Sequence, residues 1–192
     1  MEEKKPVRPS GPVASDVAKY LLERKGTLTG YQLQKLLYYC QAWSLVVEGR
    51  PLFPEEVRAF RHGPTVTSVS MQHRGKRHVR SADISGSSAA LSADDKALAD
   101  AVLRAYDGLS GDQLESLSHE EEPWRECFNQ CTSVSSSAVI ARESMRSYYA
   151  RLLVASEDER RHHHVPTFDH PKNIYVSESD YEWLLDYLGA DG

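Results

Sequence analysis

Eight histidines and three cysteines are the side chains of this 192-residue sequence best suited to metal or nucleophilic chemistry, and their spacing decides how much of it they can do. His162, His163 and His164 are consecutive. Imidazole suits Zn, Ni and Cu, but neighbours in sequence do not converge on one ion as i, i+4 pairs on a helix do, and structural sites need three or four converging ligands. The triple reads as part of a solvated linker. Cys127 and Cys131 stand at i, i+4 and can share a helix face. Without a Cys-x-x-Cys or a second pair they read as buried apolar thiols. His119-Glu120-Glu121-Glu122 holds a base and three carboxylates, but general acid–base work needs geometry around a reacting atom, which adjacency does not supply. His119 reads as a loop cap or surface hydrogen-bonding group. No nucleophile elbow, phosphate loop, H-E-x-x-H or dinucleotide fingerprint occurs, so neither a cofactor nor a metal is expected. A metal-dependent hydrolase built on His119, Glu120–Glu122 and His162–His164 remains the rival reading from the enzyme class.

Charge is unevenly distributed. The net charge is −5. Residues 57–82 nevertheless contain Arg58, Arg61, Arg74, Lys76, Arg77 and Arg80 and no acidic residue, whereas residues 83–126 hold eleven acids against Lys96, Arg104 and Arg125. The basic stretch lacks interleaved aromatics for base stacking and the sequence pI is about 5.9, which does not favour direct nucleic-acid binding. A regulator of its own operon, with residues 58–80 on phosphates, is a third possibility. Residues 155–192 hold nine acids against three basic residues, together with Tyr175, Tyr181 and Trp183. That combination suits an arm that meets a basic partner, with a C-terminal cap on the domain's own core as the alternative.

These residues need positioning elements, and the periodicity supplies helices. A mean hydropathy of −0.54 and no long apolar run exclude a membrane-spanning helix. Together with the odd cysteine count and the lack of a signal-peptide stretch, this leads us to expect a cytoplasmic globular protein. Ser15-Asp16 caps a helix bearing Val17, Ala18, Leu21 and Leu22 and closed by Gly26. Thr29 starts the strongest helix, with Leu33, Leu36, Leu37, Cys40, Trp43, Ser44 and Val47 on one stripe until Gly49. Residues 56–60 suit a strand or an extended connector, and Pro64 suits the first position of a helix carrying Val66 and Val69. Ser92 and Ser110 each open a capping box, and Pro123-Trp124 begin a short helical piece. Ile140, Ser144, Tyr148 and Leu152 mark a last core helix. Residues 156–173 have linker composition; residues 174–176 suit a short strand, and Ser177 caps a final amphipathic helix through Tyr181, Leu184 and Leu188. The expected fold is mostly α: a compact multi-helix domain over residues 13–155 with at most one or two short strands. It is preceded by a disordered leader, residues 1–12, and followed by a linker and C-terminal arm, residues 156–192, with one amphipathic helix.

Several stretches resemble a known family: Asp16-Val-Ala-Lys-Tyr-Leu-Leu22, Leu33-Gln-Lys-Leu-Leu-Tyr-Tyr-Cys-Gln-Ala-Trp43, Gly49-Arg-Pro-Leu-Phe53, Phe60-Arg-His-Gly-Pro64 and Leu117-Ser-His-Glu-Glu-Glu-Pro-Trp124. Together they resemble the Panacea antitoxin domain, the family of SocA-like phage-associated proteins, over residues 14–153. Thr65-Val66 departs from the more apolar pair followed by proline that many relatives carry, and residues from 156 onward do not align. The resemblance implies a helical cytoplasmic antitoxin, encoded beside a bacterial or phage toxin and neutralising it by direct protein binding. It also leaves open a proteolytic adaptor that delivers the toxin to an ATP-dependent protease. On that reading the partner-binding candidates are Arg58, Arg61 and His62 on the core, and Tyr175, Tyr181 and Trp183 in the arm. Neither catalytic residues nor a membrane partner is expected.

Overall fold

The computed structural model describes residues 11–129, 137–168 and 175. Its centre is α2, Gly30–Val47, in which every residue from Leu33 to Val47 is buried. An all-round buried helix must be wrapped, and α2 packs against helices α1 (Ala14–Lys25), α4 (Ala93–Ala105), α5 (Gly111–Glu120) and α7 (Arg142–Val154). Its start is the one expected: the Thr29 hydroxyl accepts from the Gln32 N–H at 3.2 Å while the Gln32 side chain accepts from the Thr29 N–H at 3.0 Å. Ser92 and Ser110 open α4 and α5 in the same way, each such cap being worth about 1 kcal/mol.

The remaining helices are α3 (Thr67–Gln72), α6 (Glu122–Asn129) and α8 (Glu157–His162). The strands are more numerous than the expected one or two: β1 (Thr27–Thr29), β2 (Arg58–Phe60), β3 (Gly63–Thr65), β4 (His78–Arg80) and β5 (Ala138–Val139). β1 pairs antiparallel with β4, and β2 lies between β3 and β5, antiparallel to both. All are two or three residues long, too short for a periodic signal to show in sequence.

Pro64 sits in β3 opposite Ala59, not at a helix start. The chain turns helical only at Thr67, because the β2–β3 hairpin claims residues 63–65 first. α1 begins at Ala14 with Val13 as its cap; Asp16 is the third helical residue, and its carboxylate accepts from the Val13 N–H at 3.1 Å. On α7 the buried residues are Met145, Tyr149, Ala150 and Leu152, so the inward aromatic is Tyr149 and Tyr148 lies beside it. Residues 157–162, read as linker, form α8. Their continuation packs on the core, with Phe168 5.8 Å from Trp43 and the Tyr106 hydroxyl donating to the His163 carbonyl at 3.3 Å. Tyr175 is described, but the expected final helix and the rest of the strand at 174–176 lie outside the described residues.

The core contains a cluster of aromatic side chains. Tyr38, Tyr39, Trp43, Tyr106 and Tyr149 are all buried, with Tyr39 stacked on Tyr106 at 4.0 Å and Trp43 edge-on to Tyr149 at 4.9 Å. Glu121 is fully buried among them and accepts from the Tyr149 hydroxyl at 2.6 Å. Burial pushes its carboxyl up to about 8, against the lowering effect of the tyrosine hydroxyls, so at neutral pH it is a neutral acid.

Candidate functional site

Two candidate residues named from the sequence, Arg61 and His62, form the exposed turn of the β2–β3 hairpin. The turn is held from several sides. From below, the fully buried Lys35 of α2 donates its ammonium to the His62 carbonyl. Gly63 makes this possible: at φ +92° it has a conformation that side chains other than glycine's rarely adopt, and a Cβ there would lie 2.8 Å from Lys35 Nζ. From the side, His62 Nδ1 lies 3.0 Å from Glu115 Oε1 of α5. The His62 ring stacks at 5.4 Å on Tyr31, itself 44% exposed at the start of α2. From behind, Trp124 of α6 donates its indole N–H to the Phe60 carbonyl at 3.0 Å.

Burial lowers the Lys35 ammonium to about 8, and Glu115 partly restores it, so at neutral pH the lysine is charged beneath the turn. His119, stacked at 3.8 Å on Trp124, is pushed down from the ordinary histidine range by burial. Among the described residues its Nε2 has no hydrogen-bond partner. It serves as a wall of the aromatic stack His119–Trp124–Phe128, not as the surface group expected.

Arg58 is only three residues from Arg61 but is committed elsewhere. Its guanidinium donates to Glu56 at 2.9 Å and to the Ser137 carbonyl at 3.0 Å. Tyr175 is at the other end of α2: its N–H donates to the Val46 carbonyl at 2.8 Å, and its ring packs on Gly49 so closely that a Cβ there would lie 2.6 Å away. Val46 stands fifteen positions after Tyr31 on α2, about 22 Å along the axis. Tyr175 therefore does not join Arg61 and His62. Tyr181 and Trp183 lie outside the described residues.

The components of the hydrolase reading diverge. Glu120 meets His162 at 2.8 Å on the surface, Glu121 faces the tyrosines, and Glu122 pairs with Arg151. His163 is buried, and His164 Nδ1 lies 3.2 Å from the Ala105 carbonyl. Among the described residues no group of three or more potential ligands could hold a metal ion. Cys40 is buried, and Cys127 points its thiol at the Val139 carbonyl at 3.4 Å; Cys131 lies outside the described residues. Among the described residues, no helix is long and apolar enough to cross a membrane.

Sequence reading missed Tyr31, Lys35 and Glu115. Lys35 alone left a trace, as a charge inside the apolar run Leu33–Leu37. Against known proteins, residues 33–125 match the family described as "Antitoxin SocA-like, Panacea domain", so the resemblance carried by the motifs is shown over that span. The match runs from within α2 to within α6 and includes Lys35, the β2–β3 hairpin and Glu115. No curated protein and no solved structure matches the chain.

Proposed function

We propose, from the antitoxin SocA-like Panacea domain in residues 33–125, that this chain is the antitoxin of a bacterial or phage toxin–antitoxin pair and neutralises its toxin by direct binding, without chemistry of its own. The observation that carries the site assignment is the hairpin turn. An arginine and a histidine stand on a turn held by Lys35, Glu115 and Trp124, with a half-exposed tyrosine of α2 stacked beside them. Binding energy concentrates in aromatic and arginine anchors whose conformations are already restricted. Arg61, His62 and Tyr31 are the anchors on this reading. An interface of standard size, about 1,600 Å² in total, extends well beyond one turn, and the C-terminal arm with Tyr181 and Trp183 supplies further surface. Its acidity speeds encounter with a basic toxin.

The test is co-expression with the product of the neighbouring gene, scored by growth. The full chain restores growth. The double variant Arg61→Ala/His62→Ala loses rescue while its unfolding midpoint stays within a few degrees, since both residues are exposed. A chain ending at Phe168 is the proper truncation, because the segment that follows α8 packs on the core through His163 and Phe168. Full rescue by that truncation removes the arm from the interface. Rescue that vanishes in cells lacking ATP-dependent proteases would mark delivery to proteolysis instead of occlusion.

A further inference from the structure

A recess of about 780 Å³ opens beside the hairpin turn, within the roughly 300–1,000 Å³ usual for small-ligand sites. Most of its lining comes from three segments, the start of α2 from Thr29 to Tyr31, the start of α5 from Ser110 to Asp112, and the turn from His73 to Arg77 between α3 and β4, with Gln34, Thr65 and Ser70 completing it. The turn's backbone is fixed. The Lys76 N–H donates to the His73 carbonyl at 2.9 Å, and the Arg77 carbonyl accepts from the Gly30 N–H at 3.4 Å. His73 is buried behind it, and its orientation is determined. The Val66 N–H takes the Gln34 amide oxygen at 2.8 Å, so the Gln34 NH₂ faces His73 Nε2 at 3.3 Å, which must accept.

On this fixed frame the charge is cationic. Arg74, Lys76 and Arg77 line the recess, and Asp112 is the sole carboxylate among its lining residues. Lys76 is paired with Asp83, whereas among the described residues neither Arg74 nor Arg77 pairs with a carboxylate. Two guanidinium forks without partners match a tetrahedral oxyanion better than any neutral group. The first turns of α2 and α5 add to the same field. Gly111, first in α5, lets the two helix starts abut, a Cβ on it falling 3.0 Å from the Tyr31 Cβ, while Gly30, first in α2, leaves room for the His73 ring. Tyr31 lies between the two features, stacked on His62 and lining the recess. It contributes the only aromatic carbocycle among the lining residues. A single-stranded nucleic acid needs successive stacking platforms along a basic groove, and one ring in a recess of this size favours a single nucleotide.

We propose that this recess binds a nucleotide-sized phosphate ester, with Arg74 and Arg77 on the phosphate oxygens and the Tyr31 ring along the base. This goes beyond the antitoxin reading and needs no toxin to be tested.

The experiment is calorimetric titration of the purified full chain at low salt with three probes: sodium pyrophosphate, ATP and a ten-nucleotide oligothymidylate. ATP binds with a Kd at or below about 1 mM, and pyrophosphate about tenfold more weakly for want of a base to stack. Arg74→Ala/Arg77→Ala weakens both at least about tenfold. Tyr31→Ala removes the advantage of ATP over pyrophosphate. Arg104→Ala, on α4 and outside the recess, binds ATP like the parent. Circular dichroism of each variant confirms that it is folded. No binding of ATP or pyrophosphate at millimolar concentration overturns the proposal, as does equal binding by the double arginine variant. Oligothymidylate binding more tightly than ATP overturns it in favour of a nucleic-acid surface.

Discussion

Two buried ionisable side chains, Lys35 under the hairpin turn and Glu121 in the tyrosine cluster, reach the same value by opposite routes. Burial lowers Lys35 from its ordinary range to about 8 and raises Glu121 from its ordinary range to about 8. At neutral pH the lysine is therefore charged and the glutamate is not. The proton that makes an amine a cation makes a carboxyl neutral, and the surroundings suit each form. Lys35 has a carbonyl to receive its proton and the Glu115 carboxylate nearby. Glu121 has tyrosine hydroxyls and no cation among the groups that shift it, and among the described residues its Oε1 has no hydrogen-bond partner. One region spends burial on holding a charged strut beneath an exposed turn; the other uses a neutral acid as part of aromatic packing. Desolvation disfavours the charged form of each, so both groups hold a proton at neutral pH, and that proton leaves the amine charged and the carboxyl neutral.

The largest effect expected is in the aromatic region. Tyr149→Ala removes the ring that meets Trp43 and the hydroxyl that Glu121 accepts from, and should cost about 4 kcal/mol in denaturant unfolding. A loss below about 1 kcal/mol would mean that this cluster is not the centre of the core.

Next is the pH dependence of stability. Between about 4.5 and about 8 the folded state keeps a proton on Glu121 that the unfolded chain has released, so stability falls as pH rises, by up to about 1.4 kcal/mol per pH unit. His73, His119 and His163 have folded pKa values below their ordinary one. They act with the opposite sign, reducing stability as pH falls below about 6.5. Between 6.5 and 8 the histidines and Lys35 still act with the opposite sign, so the Glu121 contribution is read as a difference. The thermal midpoint of Glu121→Gln should change with pH more favourably, towards higher pH, than that of the parent; parallel slopes in the two proteins would place the titration elsewhere.

Lys35→Met breaks the other half of the comparison. It removes the donor to the His62 carbonyl, which should cost about 1–2 kcal/mol and speed amide exchange across residues 61–65 while leaving α2 protected. The parent, whose folded lysine sheds its proton near 8 and whose unfolded lysine holds it to about 10.5, should gain stability from that group as pH rises between those values. The variant should lack that rise.

The smallest effect comes from Glu115→Gln. The His62–Glu115 contact is more than half exposed on the histidine side, so its loss should change stability by less than about 1 kcal/mol. Removing the charge that props Lys35 up should nonetheless lower the lysine's titration point, read by NMR of its ε-methylene.

Helix starts were the most legible part of the sequence, because a cap is local chemistry: Thr29, Ser92 and Ser110 each bond a backbone N–H three residues on. The inward face of α7 was less so. Reading Ile140, Ser144, Tyr148 and Leu152 at a uniform spacing of four overshoots a 3.6-residue turn by about 40° per step. The true face therefore alternates steps of four and three, from Met145 to Tyr149 to Leu152. α8 was invisible in composition because its sequence is charged throughout; it is supported by Arg161 reaching back to Glu157 at 2.9 Å and by the packing of the residues after it. At the candidate site, Arg61 and His62 were legible as a polar pair before Gly-Pro. Their supports were not, since Lys35 and Glu115 lie 27 and 53 residues away from His62 in sequence.

The sequence by itself determined a mostly helical chain, the positions of its main caps, the apolar stripe that puts the helix after Thr29 at the centre of the core, and the resemblance that residues 33–125 bear out. Each of these depends on side chains within a few positions of one another, where spacing is geometry. Only the tertiary structure decided that Lys35 stands beneath His62, that Glu121 turns inward among tyrosines while Glu120 and Glu122 turn outward, and that Tyr31 joins the hairpin turn to a basic recess. Those are contacts between separate elements, fixed by how the helices pack around α2, and no local spacing encodes them.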